Sequence, residues 1–283
     1  MTARTQKNTS DRRFVGRYVS SSQHYRPEAP TMAKSLAVFG ESAEFQSFVA
    51  SQCASVDCLF QGYTSPKNGD ALRHVLLGQG IERAHIVAVD RIQLPLVYEQ
   101  LGVAMPDIEF VHADACDLGD QFGDRKFDII VQDFVLNCIA PTAAPALLSE
   151  AKRHLKPGGI CLISFSTGAH APAAKTKSLA SVLEDWPQVQ CSLAASLQEM
   201  ARTDAELKDM ERHLLGQSIF DDQTGHLTHV TDPSGQLEFF IPKPDMIGLF
   251  EAAGFEVSIA DVRSATDYNG LECTRYRVIA SHA

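Results

Sequence analysis

The stretch Val56–Ile92, VDCLFQGYTSPKNGDALRHVLLGQGIERAHIVAVDRI, decides how this chain is read. Val56–Phe60 is a short apolar run and predicts a buried strand. A loop of Gly, Ser, Pro and Asn follows. Asp70–Leu77 then predicts a helix, because Leu72, Val75 and Leu76 fall on one face at helical spacing. His85–Val89 (HIVAV) predicts a second strand that stops at an acid, Asp90. Strand, loop, helix and strand with a terminal acid is the opening of a nucleotide-binding α/β domain. The glycine fingerprint that normally fills the loop is mostly missing.

The same rhythm continues outward. Leu94–Leu101 predicts a helix, Ile108–His112 a strand and Phe127–Gln132 another, followed by Asp133. Ala143–Leu155 predicts a helix closed by Lys156-Pro157-Gly158-Gly159, and Ile160–Phe165 the next strand. Pro244–Gly254 predicts a helix stopped by its glycine. Phe255–Val262 and Arg275–Ser281 are the last two strands. Continuous apolar strands alternating with helices predict a doubly wound, seven-stranded, mostly parallel sheet with its last strand antiparallel. Upstream, Ser42 precedes a helical stretch that places Phe45, Phe48 and Val49 on one face, and it suits an N-cap. Residues 1–35 read as irregular. Residues 169–218 break the rhythm and are helical in character. Residues 226–241 alternate around Asp-Pro-Ser-Gly and predict a β-hairpin. The domain reading is therefore an N-terminal arm or lid (1–41), a core (42–168 and 242–283), and a helical and hairpin cap insertion (169–241).

Composition narrows the partners. The 283 residues are 45% hydrophobic and 21% charged, ordinary for a globular protein. The formal net charge is −10, and residues 1–26 carry six Lys/Arg against one Asp, so the remainder is more acidic still. An acidic body repels phosphate backbones, which argues against nucleic acid. No apolar run approaches the ~20 residues that span a bilayer, and the polar N-terminus has no signal-peptide character, so the expectation is a cytoplasmic protein. The seven cysteines are scattered, without a CxxC. Cys53 and Cys58 have poor zinc spacing, and no metal is expected.

Several of these segments together resemble the class I S-adenosylmethionine (SAM)-dependent methyltransferase family. The resemblance rests on HIVAVD (85–90), FVHADACDL (110–118), FDIIVQDFVLNCI (127–139), LLSEAKRHLKPGGICLISF (147–165) and MIGLFEAAGFEV (246–257). It implies SAM as cofactor and S-adenosylhomocysteine (SAH) as product. By it, Asp90, with the adjoining Arg91, binds the ribose hydroxyls, and Asp114 and Ala115 meet the adenine. Gln132, Asp133 and Asn137 lie beneath the sulfonium and the substrate. Independently, a carboxylate at a strand's carboxyl end suits two adjacent hydroxyl donors. Asp90, Asp114 and Asp133 all follow predicted strands, so they should line one crevice. Each alone also suits a helix cap.

Against the family's acid and Gly-x-Gly-x-Gly turn, this chain has Phe60, Gly62, Thr64 and Pro66. A dinucleotide needs those glycines to seat its pyrophosphate. SAM has no phosphate, and its methionine end needs only clearance and polar partners. Gly62 and Tyr63 are therefore expected at the cofactor. Asp70 is read either as the ammonium partner that replaces the missing acid or as a cap of its own helix.

On the acceptor side, His24, Tyr25, Tyr63, Asn137, His170 and His229 are the candidate bases or positioners. Tyr25, Tyr63, Asn137 and His229 stand for the catalytic set. The expected activity is methyl transfer to an O, N, S or C nucleophile of a small molecule by a monomer or homodimer. Two alternatives stay open at this point. One is a methyltransferase-fold enzyme of non-methyl chemistry, such as cyclisation or decarboxylation. The other is a non-catalytic SAM-binding regulatory module.

Overall fold

The computed structural model describes residues 32–63, 65–90, 94–119, 121–139, 143–167, 229–231, 237–239, 243–266 and 272–282. Its elements in chain order are α1 (Ala33–Glu41), α2 (Ala43–Ala50), β1 (Ser55–Gln61), α3 (Asn68–Gly78), β2 (Arg83–Asp90), α4 (Leu94–Leu101), β3 (Glu109–His112) and β4 (Phe127–Asp133). They continue with α5 (Val135–Cys138), α6 (Ala144–His154), β5 (Leu155–Thr167), β6 (His229–Thr231), β7 (Leu237–Phe239), α7 (Lys243–Ala252), β8 (Phe255–Thr266) and β9 (Glu272–His282).

Seven strands form one sheet in the order β3-β2-β1-β4-β5-β9-β8. The pairs from β3 through β5 are parallel, and β9 runs antiparallel to both of its neighbours. This is the mostly parallel sheet with an antiparallel last strand that the alternation predicts. The winding reverses between β1 and β4, and open α/β sheets bind ligands beyond the carboxyl ends at such a point.

Successive residues of a strand face opposite sides, and here both sides are covered. Cys58, Phe60, Val131 and Leu162 pack with Leu36, Phe39, Phe45, Leu72 and Tyr98 from α1 to α4. Leu59, Val89, Ile130 and Ile163 pack with Leu147, Leu148 and Ala151 of α6 and Met246 and Phe250 of α7. That double burial is why the strands read as unbroken apolar runs.

Three local features differ from expectation or refine it. Residues 33–41, expected within the N-terminal arm, form a helix that buries Leu36 and Phe39. A Cβ on Gly40 would come within 2.9 Å of Val75 Cγ1, so α1 sits tightly on α3. Ser42 then caps α2 by accepting the Phe45 N–H, as its position predicts. The segment after β4 opens with the one-turn helix α5. The expected hairpin is present as antiparallel β6 and β7, and β7 lies against α5. The rest of the 169–241 insertion falls outside the described residues.

The Lys156–Gly159 stretch is not a free turn but the start of β5, paired to β4 through a register irregularity. Gly158 takes φ +76°, and a Cβ on Gly159 would lie 2.9 Å from the Asp128 carbonyl oxygen. Lys156 Nζ donates to Asp128 at 2.8 Å and to Asp57 at 3.2 Å. Asp128 also accepts the Asp57 N–H at 2.8 Å. This motif therefore ties β1, β4 and β5 together at their amino ends. Desolvation works against the Lys156 charge, yet its bonds to Asp128 and Asp57 raise its pKa overall. The Lys156 side chain is 37% exposed, which places the pairing between surface and buried ion pairs. Lys156→Met is expected to lower unfolding free energy by about 1–2 kcal/mol, read as a shifted urea midpoint at unchanged slope.

Candidate functional site

The carboxyl ends of β1, β2 and β4, with the loop after β3, make a polar rim above the apolar sheet. β1 ends in Gln61, after which the chain turns at Gly62 with φ +80°. A Cβ there would come within 2.6 Å of Val135 Cγ2, so only glycine lets α5 close onto the end of β1. Gly62 N–H bonds Val89 O at 2.9 Å, and the next amide, Tyr63 N–H, donates to Asp90 Oδ2 at 3.2 Å. The acid at the end of β2 is thus fixed by the loop after β1.

Tyr63 itself is fully buried. Its ring stands edge-on to Phe60 and Phe110. Its hydroxyl donates to Pro66 O at 3.2 Å and accepts the Gly69 N–H at 3.0 Å. Burial pushes its phenol up to about 12. The Tyr63 phenol, expected among the catalytic candidates, is thus engaged by two loop backbone groups. Tyr63 is the post around which the glycine-poor loop is built, and its backbone N–H serves the site.

On the other face, Gln132 Nε2 donates to Gln61 Oε1 at 2.6 Å, and Gln61 Nε2 donates to Ala115 O at 3.3 Å. Both glutamines are fully buried, and Gln132 Oε1 has no hydrogen-bond partner. The expected adenine residues Asp114 and Ala115 join this rim. Asp114 Oδ1 accepts the Cys116 N–H at 2.9 Å and so shapes the loop after β3.

Beside them runs a row of paired residues along one face: Asp133, Ser164, Arg277 and Asp261 on β4, β5, β9 and β8. Arg277 bonds Asp261 at 2.7 Å, and Arg263 reaches the same carboxylate at 2.7 Å. Asp133 Oδ1 is buried without a hydrogen-bond partner. Burial pushes the Asp133 carboxyl above its ordinary range, against the pull of Ser164, Arg277 and Arg275. The next residue, Phe134, is the one described non-glycine with positive φ (58°). Strain of that kind costs about 1–3 kcal/mol and collects at functional sites.

Two further candidates have protein partners. Asn137 Nδ2 donates to Ser166 O and its Oδ1 accepts the Ser166 N–H, both at 2.8 Å. Both ends of this buried amide are bound to one backbone residue, so Asn137 locks α5 to β5. Asp70 does not hold the N-cap of its helix. Its exposed carboxylate pairs with Arg73 at 3.3 Å, and Lys67 holds the N-cap position. His229 lies on β6 with its side chain outside the described residues. His24, Tyr25, Arg91 and His170 lie outside them altogether.

Residues 69–163 match the family model described as a methyltransferase domain. The likeness covers about a third of the chain. It runs from the start of α3 to β5 and so contains Asp90, Asp114, Gln132 and Asp133. Among solved structures, one from Methanosarcina mazei described as a SAM-dependent methyltransferase is 14% identical, over 82% of this chain and 95% of that one, with a TM-score of 0.47. Another is the 1,6-didemethyltoxoflavin-N1-methyltransferase of Burkholderia thailandensis, solved with 1,6-didemethyltoxoflavin and SAH. It is 15% identical over 94% of this chain and 88% of that one, with a TM-score of 0.44. No curated protein matches the chain.

The chain contains no group of three or more His, Cys, Asp or Glu that could hold a metal ion among the described residues. Its strand-end acids Asp90, Asp114 and Asp133 lie at the one edge that sequence reasoning assigned them. Sequence reasoning missed Gln61, Phe134 and the arginines of β9. Arg275 and Arg277 do alternate in the final strand, a visible sign that both share a face, but nothing in the sequence shows that this face reaches Asp133.

Tyr63→Phe is expected to cost about 1–3 kcal/mol of stability, because the buried Gly69 N–H loses its acceptor. A phenol raised to about 12 contributes fully below its ordinary value of about 10 and is lost as pH rises through about 12. The difference between wild type and variant in urea unfolding should therefore be flat from about pH 6 to about pH 9.

Proposed function

We propose that this chain is a SAM-dependent methyltransferase that transfers a methyl group to an O, N, S or C nucleophile of a small molecule, releasing SAH. The observation that carries the reading is Asp90. It lies at the carboxyl end of β2 inside the stretch that matches the methyltransferase model, next to the strand-order reversal, with one oxygen anchored by Tyr63 N–H. A carboxylate held there suits the two hydroxyl donors of a ribose.

The residues present suit the rest of SAM as well. Two of the orphan buried atoms at this edge, Gln132 Oε1 and Asp133 Oδ1, are acceptors, which suits a ligand that brings donors such as an ammonium. Gly62 and the Tyr63 backbone are the proposed contacts of the methionine end, and Asp114 and Ala115 those of the adenine. Arg91 adjoins the ribose acid in sequence. When bound, SAM supplies a methyl carbon on a sulfonium for in-line displacement. The protein's task is then alignment and exclusion of water. For an acceptor that must lose a proton, a carboxyl pushed upward, like that of Asp133, is closer to the range a base needs than an ordinary one.

The insertion 169–241 and the arm 1–41 are proposed to cap the acceptor side. Supporting this, β7 lies against α5, which directly follows β4. Tyr25 and His229 belong to these segments and are the remaining candidates for acceptor positioning. Among the described residues no helix is long and apolar enough to cross a membrane. A cytoplasmic monomer or homodimer without nucleic-acid partners is the accompanying proposal.

Asp90→Ala is expected to weaken SAH binding by about a hundredfold in calorimetry, from two charge-assisted bonds at ~1.5–3 kcal/mol each. A change under about threefold would reduce Asp90 to a loop anchor. Deleting residues 1–30 is expected to abolish methyl transfer while SAH affinity stays within about tenfold. Affinity lost with activity would argue that the arm builds the cofactor site.

A further inference from the structure

Among the described residues, Arg275 is an arginine at this edge with no carboxylate within ion-pair distance. On β9 it is paired with Ser166 of β5 and Arg263 of β8, one step beyond the Ser164, Arg277 and Asp261 row. Arg277 and Arg263 share the Asp261 carboxylate. Arg275 forms no ion pair among the described residues, and its buried Nε has no hydrogen-bond partner. Its guanidinium instead sits 5.3 Å from the centroid of the Phe134 ring. Phe134 holds that ring in place through a left-handed backbone, directly after Asp133 and before α5. Asn137 and Ser166 fix the same junction from the other side.

A guanidinium stacked on a ring keeps its edge free for in-plane hydrogen bonds. Leaving such a donor fork partly buried and unmatched costs free energy, and a planar oxyanion removes that cost with two parallel bonds. We propose that Arg275 is the acceptor-recognition residue and that the methyl acceptor carries a carboxylate. The inference rests on the methyl-transfer reading above. The local charges favour a monoanion: three guanidiniums face the two carboxylates of Asp133 and Asp261. A phosphate dianion would meet both acids with only one unshared guanidinium to hold it. Docked on Arg275, the acceptor's carboxylate sets the rest of the molecule beside Asp133 at the end of β4.

The test uses the full chain saturated with SAH and two probes of nearly equal shape, benzoate and benzamide, titrated by ligand-observed NMR. Benzoate is expected to bind at least tenfold more tightly than benzamide. Arg275→Gln is expected to erase that preference while SAH affinity stays within twofold. Arg263→Gln, which removes an exposed arginine already paired to Asp261, is expected to keep it. Should Arg275→Gln fail to fold, Arg275→Lys retains the charge without the fork and is expected to cut the preference at least threefold. Equal affinity for the two probes, or a preference that survives in the Arg275 variants, overturns the assignment. Inorganic phosphate displacing benzoate at equal concentration overturns the carboxylate class. A protein that does not bind SAH overturns the cofactor reading and the acceptor role with it. SAH binding with no benzoate preference overturns the arginine assignment alone.

Discussion

One hydrogen bond between two strand ends, Tyr63 N–H to Asp90 Oδ2, holds the working edge of this sheet in shape. It joins the loop after β1 to the acid of β2, so the acid's position depends on how that loop folds. The loop folds around a side chain. Tyr63 packs its ring between Phe60 and Phe110 and bonds both ends of the Pro66–Gly69 turn. Glycines shape such loops by permitting unusual backbone angles. Here a buried aromatic post does much of that work, and positive φ is needed at Gly62 alone among the described loop residues.

The strand order, the antiparallel last strand, the Ser42 cap and the three strand-end acids were legible because each has a local signature. Apolar runs report burial on both faces, and an acid after a run reports a strand end. The roles of Tyr63 and Asn137 were not legible, because a polar side chain in a loop looks the same whether it faces substrate or backbone. Asn137 spends both ends of its amide on Ser166, 29 residues away, a pairing no local pattern announces. The cap reading of Asp70 failed for a similar reason: Lys67 holds that position, and Arg73 one turn on pairs with the Asp70 carboxylate. The α1 helix was obscured by its polar, Pro-containing approach, although Leu36 and Phe39 carry helical spacing.

The two ends of the sheet treat charge differently. At the amino end, Asp57 and Asp128 are matched by Lys156 and by a backbone N–H. The Lys-Pro-Gly-Gly stretch there serves the fold. At the carboxyl end, Gln132 Oε1, Asp133 Oδ1 and Arg275 Nε are buried without hydrogen-bond partners. Each costs stability unless something binds. An edge that keeps both unmatched acceptors and an unmatched donor suits a ligand, or a pair of ligands, bringing groups of both kinds.

The N-terminus of α3 decides which cofactor class this edge can serve. A pyrophosphate docks on the unsatisfied amides of a helix's first turn. Here the first two of those amides are taken. Asn68 N–H bonds Ser65 O at 3.0 Å, Gly69 N–H bonds the Tyr63 hydroxyl at 3.0 Å, and Ala71 N–H bonds Lys67 O at 3.0 Å. Gly69 also has no clearance: a Cβ there would sit 3.2 Å from Ile108 Cγ2 and 3.3 Å from the Tyr63 oxygen. The glycine is present to admit protein, not phosphate. A dinucleotide would have to displace Tyr63 from its pocket to reach the helix end. A cofactor without phosphates needs none of those amides, and its ribose still finds Asp90. The glycine-poor loop is thus compatible with a cofactor that brings no phosphate to this helix end.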